Sequence, residues 1–133
     1  MKTTALIEKG KDGTFGIFTP DINHTIIGEG NTVEEAKADF ENSVREMILS
    51  YTENGNSIPK ELENIEFEYQ YDLESLFNYY DFINVSKFAK KTGINPSLMR
   101  QYKTRKMPIS ERQKEKIQTM FHHIGNEFAA LKI

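Results

Sequence analysis

The spacing of hydrophobic residues changes along this chain of 133 residues, and the changes restrict it to a mixed α+β fold. Three runs rich in β-branched and aromatic residues, at positions 3–8, 14–19 and 24–28, predict three strands. A Lys-Asp-Gly turn at 11–13 separates the first two runs, and a Pro-Asp turn at 20–21 separates the next two. The chain therefore begins as a short β-meander.

The hydrophobic period changes from two to 3.6 at Thr32, which predicts one long helix. Its apolar face comprises Val33, Ala36, Phe40, Val44, Met47, Ile48 and Tyr51. Thr32 and Glu35 have the spacing of a capping box, in which the hydroxyl accepts the N–H of Glu35 and the carboxylate reaches back. Gly55 predicts the end of the helix.

Strand-like alternation returns after this helix. Residues 65–71 alternate apolar side chains with Glu and Gln, which predicts a half-buried fourth strand with an acidic outer face. The two adjacent isoleucines of the third run, Ile26 and Ile27, predict a strand buried on both faces or twisted. We expect a β-β-β-α-β domain over residues 1–71, with its helix across one face of an antiparallel sheet.

Only helical signals follow Asp72, which predicts a second, all-α domain over residues 72–133. Its first helix is expected over residues 73–80 with Asp72 as N-cap, and its last begins after Ser110. The apolar stripe of that last helix comprises Ile117, Met120, Phe121, Ile124, Phe128 and Leu131. Gly125 within the stripe predicts a close helix crossing, and the width of the stripe makes this helix the candidate dimer contact.

Residues 85–104, VSKFAKKTGINPSLMRQYKT, match the twenty-residue pattern of a helix-turn-helix motif. Ala89 is small where a second helix would cross, and Gly93 suits a turn that needs a positive φ. Asn95 and Pro96 are typical of a helix start. Three apolar residues are spaced to pack the second helix against the first: Ile94, Met99 and Tyr102.

The side chains left on the outer surface of this motif are suited to DNA. Arginine can donate two hydrogen bonds to guanine, and glutamine can pair with adenine. Between Phe82 and Ile109 there are 7 basic residues and no acidic one, which disfavours the competing interpretation of a mere packing or protein-docking hairpin. The candidate DNA-binding residues are Asn95, Ser97, Arg100, Gln101, Lys103, Thr104, Arg105 and Lys106.

The formal net charge of −3 is an average over two very different segments. Residues 1–80 contain 6 Lys and Arg against 16 Asp and Glu, a net charge of −10. Residues 81–133 contain 11 against 4, a net charge of +7. The two parts are therefore predicted to bind different partners, because opposite surface charges attract opposite kinds of molecule.

Several classes of protein are disfavoured. The chain has no cysteine, so it has no disulfide framework, thiol nucleophile or cysteine zinc site, and a reducing cytosol is expected. Residues 1–11 lack the apolar core of a signal peptide, and no apolar run approaches the roughly 20 residues of a membrane span. We therefore expect neither export nor a membrane partner.

A catalytic site is also disfavoured. Asp12, Asp21, Glu29 and Glu35 are the candidate ligands for a metal-dependent nuclease, but they are expected in turns or on a solvated helix face, whereas two-metal sites need converging carboxylates. His122 and His123 are adjacent in a helix, so they point roughly 100° apart. His24 stands alone in a predicted strand. No catalytic residue, metal site or cofactor is predicted.

Two stretches of the first domain resemble HicB-family antitoxins of bacterial toxin-antitoxin pairs: DGTFGIFTPDI at residues 12–22 and GNTVEEAKADFENSV at residues 30–44. The matching features are Asp12, Gly13, Phe15, Pro20, Asp21 and residues 32–36. One branch of that family carries a C-terminal helix-turn-helix, so the resemblance covers nearly the whole chain.

The resemblance implies a partial RNase H-like fold for residues 1–71, without the catalytic carboxylates of that fold. It implies binding of HicA, a small basic toxin that cleaves mRNA, and repression of the operon that encodes both proteins. The expected protein is a non-enzymatic bacterial antitoxin that forms a homodimer or higher homo-oligomer in the cytoplasm. The alternative is a stand-alone helix-turn-helix regulator whose N-terminal domain senses a ligand or oligomerises.

Overall fold

The computed structural model describes residues 1–104 and 106–133, which form an α+β structure with a four-stranded mixed sheet and five α-helices. These residues divide into two compact units, Met1–Tyr79 and Tyr80–Ile133. The elements of the first unit are β1 Lys2–Lys9, β2 Phe15–Phe18, β3 Ile27–Gly30, α1 Val33–Glu53, a short 3₁₀ helix Lys60–Leu62, β4 Glu66–Tyr71 and α2 Leu73–Tyr79.

The sheet has the strand order β3-β2-β1-β4. Antiparallel pairing joins β1 to β2 and β2 to β3, whereas β4 runs parallel to β1. The β-β-β-α-β order is confirmed, but the expectation of an antiparallel sheet is wrong. A parallel neighbour needs a long crossover connection, and the α1 segment carries the chain back so that β4 enters in the direction of β1.

The third strand begins later than its sequence predicts. Thr19 Oγ1 donates a hydrogen bond to the carbonyl of His24 at 2.9 Å and accepts one from the N–H of Ile26 at 3.0 Å. Backbone groups before Ile27 therefore bond to a side chain instead of to a neighbouring strand. Ile26 is buried just ahead of β3, but Ile27 is 51% exposed, so of the two alternatives predicted for this strand, burial on both faces is wrong.

Helix α1 lies unusually close to β3 because two positions of that strand have no side chain. A Cβ atom at Gly28 would lie 2.4 Å from the backbone nitrogen of Phe40, and one at Gly30 would lie 2.6 Å from that of Ala36. The ring of Phe40 is completely buried and packs edge-on against Phe67, with ring centroids 4.9 Å apart. Burial of such a side chain contributes about 1.5–3 kcal/mol.

The ends of α1 follow from local hydrogen bonds. Thr32 Oγ1 accepts the N–H of Glu35 at 3.1 Å, as the capping box predicts. The carboxylate of Glu35, however, accepts the N–H of Asn31 at 2.8 Å instead of that of the cap residue. The helix ends before Asn54, and Gly55 follows with a φ of 70°, which a glycine adopts without strain.

Helix α2 belongs to the first unit, eight residues beyond the predicted boundary at 71/72. The oxygen of Ser75 accepts the N–H of Lys9 in β1 at 2.7 Å, and Tyr79 packs edge-on against Phe15 at 5.2 Å. Asp72 accepts the N–H of Ser75 at 3.3 Å, as expected for the N-cap. The division after Tyr79 coincides with the change in charge and not with the change from strands to helices.

Within residues 80–104 and 106–133, the second unit contains three helices: α3 Val85–Thr92, α4 Pro96–Lys103 and α5 Glu111–Ala130. Its core comprises Phe88, Ala89, Ile94, Met99, Tyr102 and Ile117. The predicted burial of the apolar residues in and before α4 is therefore confirmed. Helix α5 begins at its predicted cap, where Ser110 Oγ accepts the N–H of Gln113 at 3.2 Å.

Most of α5 is exposed beyond its first turns. Phe121 stacks on Phe88 with ring centroids 4.5 Å apart, whereas Phe128 is 59% exposed. A Cβ atom at Gly125 would have no described atom within 4 Å, so the close crossing predicted there is absent among the described residues of this chain. In residues 1–104 and 106–133, no helix is both long and apolar enough to span a bilayer.

The approach of α1 to β3 predicts a large difference between two glycines of the same sheet. Gly28→Ala should lower the free energy of unfolding of the first unit by about 3 kcal/mol, because the new methyl group meets backbone atoms that cannot move independently. Gly16→Ala should change it by less than about 1 kcal/mol, since a Cβ there meets nothing within 4 Å. Urea denaturation followed by circular dichroism measures both. Equal losses would contradict the close approach.

Candidate nucleic-acid interface

The turn between α3 and α4 has the geometry that its sequence indicates. Asn84 Oδ1 accepts the N–H of Lys87 at 3.0 Å and caps the start of α3. Gly93 ends the helix in the left-handed region with a φ of 77°. The following N–H, that of Ile94, returns to the carbonyl of Ala89 at 3.1 Å, so the chain reverses within two residues.

Asn95 has a structural role at the start of α4. Its Oδ1 accepts the N–H of Ser97 at 2.8 Å and that of Leu98 at 3.4 Å, while Pro96 occupies the first helical position. These two amide groups, which could otherwise hold a phosphate at a helix start, are already bonded within the protein. Ser97 is exposed and its N–H is bonded to Asn95, so a DNA contact at this residue would be made by its hydroxyl.

Helix α4 presents a polar stripe on the side opposite its buried residues. Met99 is completely buried and Tyr102 is 6% exposed, which fixes the rotation of the helix. Ser97, Arg100 and Thr104 are exposed and follow one another at steps of three and four residues, so they lie on one face. Gln101 and Lys103 are half-buried and flank that face.

A hydrogen bond ties this stripe to α3. The Nη1 group of Arg100 donates to Ser86 Oγ at 3.0 Å. A guanidinium has five N–H donors, so this single bond leaves donors for a base or a phosphate. Sequence reasoning identified Arg100 but missed Ser86, because a partner 14 residues away on another helix is determined by how the two helices pack. The bond to Ser86 restricts the conformations of the Arg100 side chain before DNA binds. A bidentate contact to a base therefore costs less conformational entropy.

Lysines extend the positive surface on both sides of the turn. Lys87, Lys90 and Lys91 are exposed on α3, and Lys106 is exposed beyond α4. Thr104 donates its hydroxyl to the carbonyl of Arg100 at 3.0 Å, which closes the last turn of α4. Arg105, a further candidate contact, lies outside the described residues. The surface combines charged groups that attract phosphate with an arginine and a glutamine that can recognise bases.

The candidate metal ligands of the first unit lie in separate places. Asp12 is in the β1–β2 turn, where its carboxylate accepts the N–H and the hydroxyl of Thr14 at 3.0 and 2.7 Å; these bonds lower its pKa. Glu35 lies in the first turn of α1, Glu29 in β3 and Asp21 in the segment between β2 and β3. Throughout residues 1–104 and 106–133, no three His, Cys, Asp or Glu side chains are positioned to hold a metal ion.

Two of the histidines have partners of their own. His123 pairs with Glu127 one turn further along α5 at 2.7 Å. His24 lies in an irregular segment before β3, where Nδ1 contacts the carboxylate of Glu61 and Nε2 lies 3.0 Å from the hydroxyl of Tyr51. Glu61 also accepts the backbone N–H of His24 at 3.2 Å. This cluster joins the segment to α1 and to the 3₁₀ helix, and no spacing in the sequence indicated it.

Comparison with protein-family models, with curated proteins and with solved structures finds no match to this chain.

The Glu61 cluster predicts a pH-dependent contribution to the stability of the first unit. The bond to His24, with the backbone N–H groups of Asn23 and His24, lowers the pKa of Glu61. A carboxylate with a lowered pKa stabilises the fold above its ordinary pKa of about 4.3, and that stability is lost as the pH falls through the lowered value. Glu61→Gln should therefore destabilise the protein at neutral pH, with a difference from wild type that shrinks below about pH 4.

Urea denaturation at intervals between about pH 7 and pH 3 measures this difference. Glu63→Gln is the control, because Glu63 is an exposed glutamate two residues away. If the difference in free energy of unfolding between Glu61→Gln and wild type stays constant with pH, the ionised carboxylate is not the stabilising group.

Proposed function

We propose that this protein is a HicB-type antitoxin that binds a HicA-type toxin through its first unit and represses its own operon through its second. The observation that carries the proposal is the separation of charge between the two compact units. Residues 1–79 contain 6 basic and 16 acidic residues, and residues 80–133 contain 11 and 4. Such a chain suits a basic protein at one unit and DNA at the other.

The second unit supplies the DNA-binding part of the proposal. Helices α3 and α4 act as a helix-turn-helix motif, with α4 in the major groove and the stripe of Ser97, Arg100 and Thr104 toward the bases. Gln101 and Lys103 reach the same groove from its flanks. The exposed lysines of α3 contact the phosphates, which provide affinity without sequence preference. Asn95 holds the start of α4 in place, and Arg105 and Lys106 extend the contact.

The first unit supplies the toxin-binding part. Its β-β-β-α-β order agrees with the prediction from the hydrophobic pattern, and we propose that it is the partial RNase H-like domain that the resemblance implies. The motif residues of the resemblance have structural roles: Asp12 lies in a turn, Thr32 caps α1, and Ala36 lies on the buried face of that helix. Binding of a basic toxin by this acidic unit needs no catalytic group or cofactor, so we propose a binding protein and not an enzyme.

Dimerisation through α5 completes the proposal. Phe128 and Leu131 are 59% and 67% exposed at the end of this helix, as expected for an interface with a second copy. Paired motifs bind half-sites about one helical turn of DNA apart. The protein would act in the bacterial cytoplasm, where both the operon and the toxin are found.

The alternative is a stand-alone regulator whose first unit senses a ligand or oligomerises. The basic surface on α3 and α4 supports either function equally. A short reading frame for a basic protein beside this gene favours the antitoxin, and co-purification of its product with this protein tests it directly. Stable DNA binding without capture of that product would favour the alternative.

Arg100→Ala tests the division of labour. We expect it to weaken binding to the DNA upstream of the gene by about 1–3 kcal/mol, or roughly 5- to 150-fold, because a bidentate base contact is lost. Growth rescue from the co-expressed toxin should be unchanged. An electrophoretic mobility-shift assay and a growth assay measure the two effects. Lys132→Ala, which also removes one positive charge but lies outside the stretch from Phe82 to Ile109, is the control. Equal loss of both activities in a variant that circular dichroism shows to be folded would contradict the proposal.

Ser86 is expected to act through Arg100. Ser86→Ala should weaken DNA binding by about 0.5–1.5 kcal/mol, the contribution of one hydrogen bond, and Ser86→Thr should retain most of the affinity. In a protein that already carries Arg100→Ala, Ser86→Ala should cost nothing more. Fluorescence anisotropy with the upstream DNA measures the four affinities of this cycle. Additive losses would show that Ser86 contacts the DNA independently.

A further inference from the structure

We propose that one face of the sheet in the first unit docks a small basic protein that presents an apolar patch surrounded by lysine and arginine. This surface, the open sheet face, has Leu6, Phe18 and Ile27 at its centre and Glu8, Glu29, Glu66 and Glu68 around them. The inference rests on the proposed function and specifies where on the acidic unit its protein partner binds.

Both helices of the first unit pack on the opposite face of the sheet. Alternate residues of a strand point to opposite faces, and α1 covers the face that contains Ile7, Ile17 and Gly28. Tyr79 of α2 packs against Phe15 and stacks on Tyr71, which belong to that same face. The other face therefore carries no helix of this unit among the described residues.

The centre of the open sheet face is a continuous apolar row. In the strand register Leu6 lies opposite Phe18, and Phe18 lies opposite Ile27, so the three side chains stand side by side across β1, β2 and β3. Ile27 is 51% exposed, and Leu6 and Phe18 are half-buried. An apolar row on a sheet surface with an acidic border is the arrangement of a binding interface with a hydrophobic centre and a polar rim.

Carboxylates border this row on both sides. Glu8, Gly16 and Glu29 form the next row across the sheet. Gly16 has no side chain, so it leaves a gap between the two glutamates, and a Cβ there would have no atom within 4 Å. On the other side, Glu68 pairs with Thr4, one row from Leu6, and Glu66 pairs with Lys2, two rows from it, while Gln70 pairs with Leu6 itself. Lys2, paired with Glu66 in the register, is the one basic residue of this face in β1 to β4.

The acidic border of the open sheet face determines which class of molecule can bind there. A nucleic acid would bring phosphates against four glutamates, and a second copy of the same face would bring the glutamates against each other. A basic protein would neutralise them around a dehydrated apolar centre, which adds specificity and a faster association rate. The chemistry of this face therefore favours a basic partner.

Two exposed apolar residues of the first unit provide a matched test. Ile27 on the open sheet face is 51% exposed, and Leu49 on α1 is 52% exposed, so each accepts a lysine without loss of core packing. The proposed function requires a small basic protein encoded beside this gene; that protein is the probe, titrated by calorimetry into the full-length protein. We expect Ile27→Lys to weaken binding about tenfold or more and Leu49→Lys to change it less than about twofold.

A second pair separates charge from apolar contact. Glu68→Lys should weaken binding about tenfold, whereas Glu53→Lys, at the exposed end of α1, should leave it within about twofold. Circular dichroism verifies that each variant is folded.

The outcomes distinguish failure of this docking site from failure of the proposed function. Binding by wild type that all four variants retain would overturn the open sheet face as the docking site while leaving the antitoxin proposal intact. Absence of binding by wild type itself would overturn both. A change in oligomeric state of Ile27→Lys without the probe, measured by light scattering, would identify the face as a contact between copies and would also overturn the inference.

Discussion

The packing of α1 against β3 is the contact on which the organisation of the first unit depends. Gly28 and Gly30 let the helix backbone approach the strand more closely than any side chain would allow, and Phe40 then fills the space above β4. Because a strand presents alternate residues to its two faces, this contact also determines which residues are left uncovered. The acidic residues of β1, β3 and β4 lie on the uncovered face for that reason.

The separation of charge has a physical benefit for a protein with two partners. Acidic and basic residues mixed on one surface would cancel within about one Debye length, which is roughly 8 Å at physiological ionic strength. Here most of the acidic residues are in one packed unit and most of the basic residues in the other, with net charges of −10 and +7. The net charge of −3 would suggest a protein that binds DNA poorly, yet the stretch from Phe82 to Ile109 contains no acidic residue.

Local signals in the sequence predicted the elements well because local bonds determine them. Thr32, Asn84, Asn95 and Ser110 each cap the helix that follows. The errors occurred where distant residues decide the structure. Thr19 delays the start of β3, and Ser75 and Tyr79 hold α2 against the sheet, so neither the strand end nor the unit boundary was visible in a local pattern. The stripe on α4 was predictable from helical spacing, whereas its bond to Ser86 was not.

Each proposed binding surface is built on regular elements held in place from behind. Met99 and Tyr102 fix the rotation of α4, Asn95 fixes its start, and Ser86 restricts the arginine that would read a base. On the sheet, the register itself aligns the three apolar side chains of the open sheet face. Surfaces organised before binding lose less conformational entropy when a partner arrives, so more of the interaction energy remains as affinity. The same rigidity makes each surface sensitive to single substitutions at its centre and tolerant of changes on the helices that face away from it.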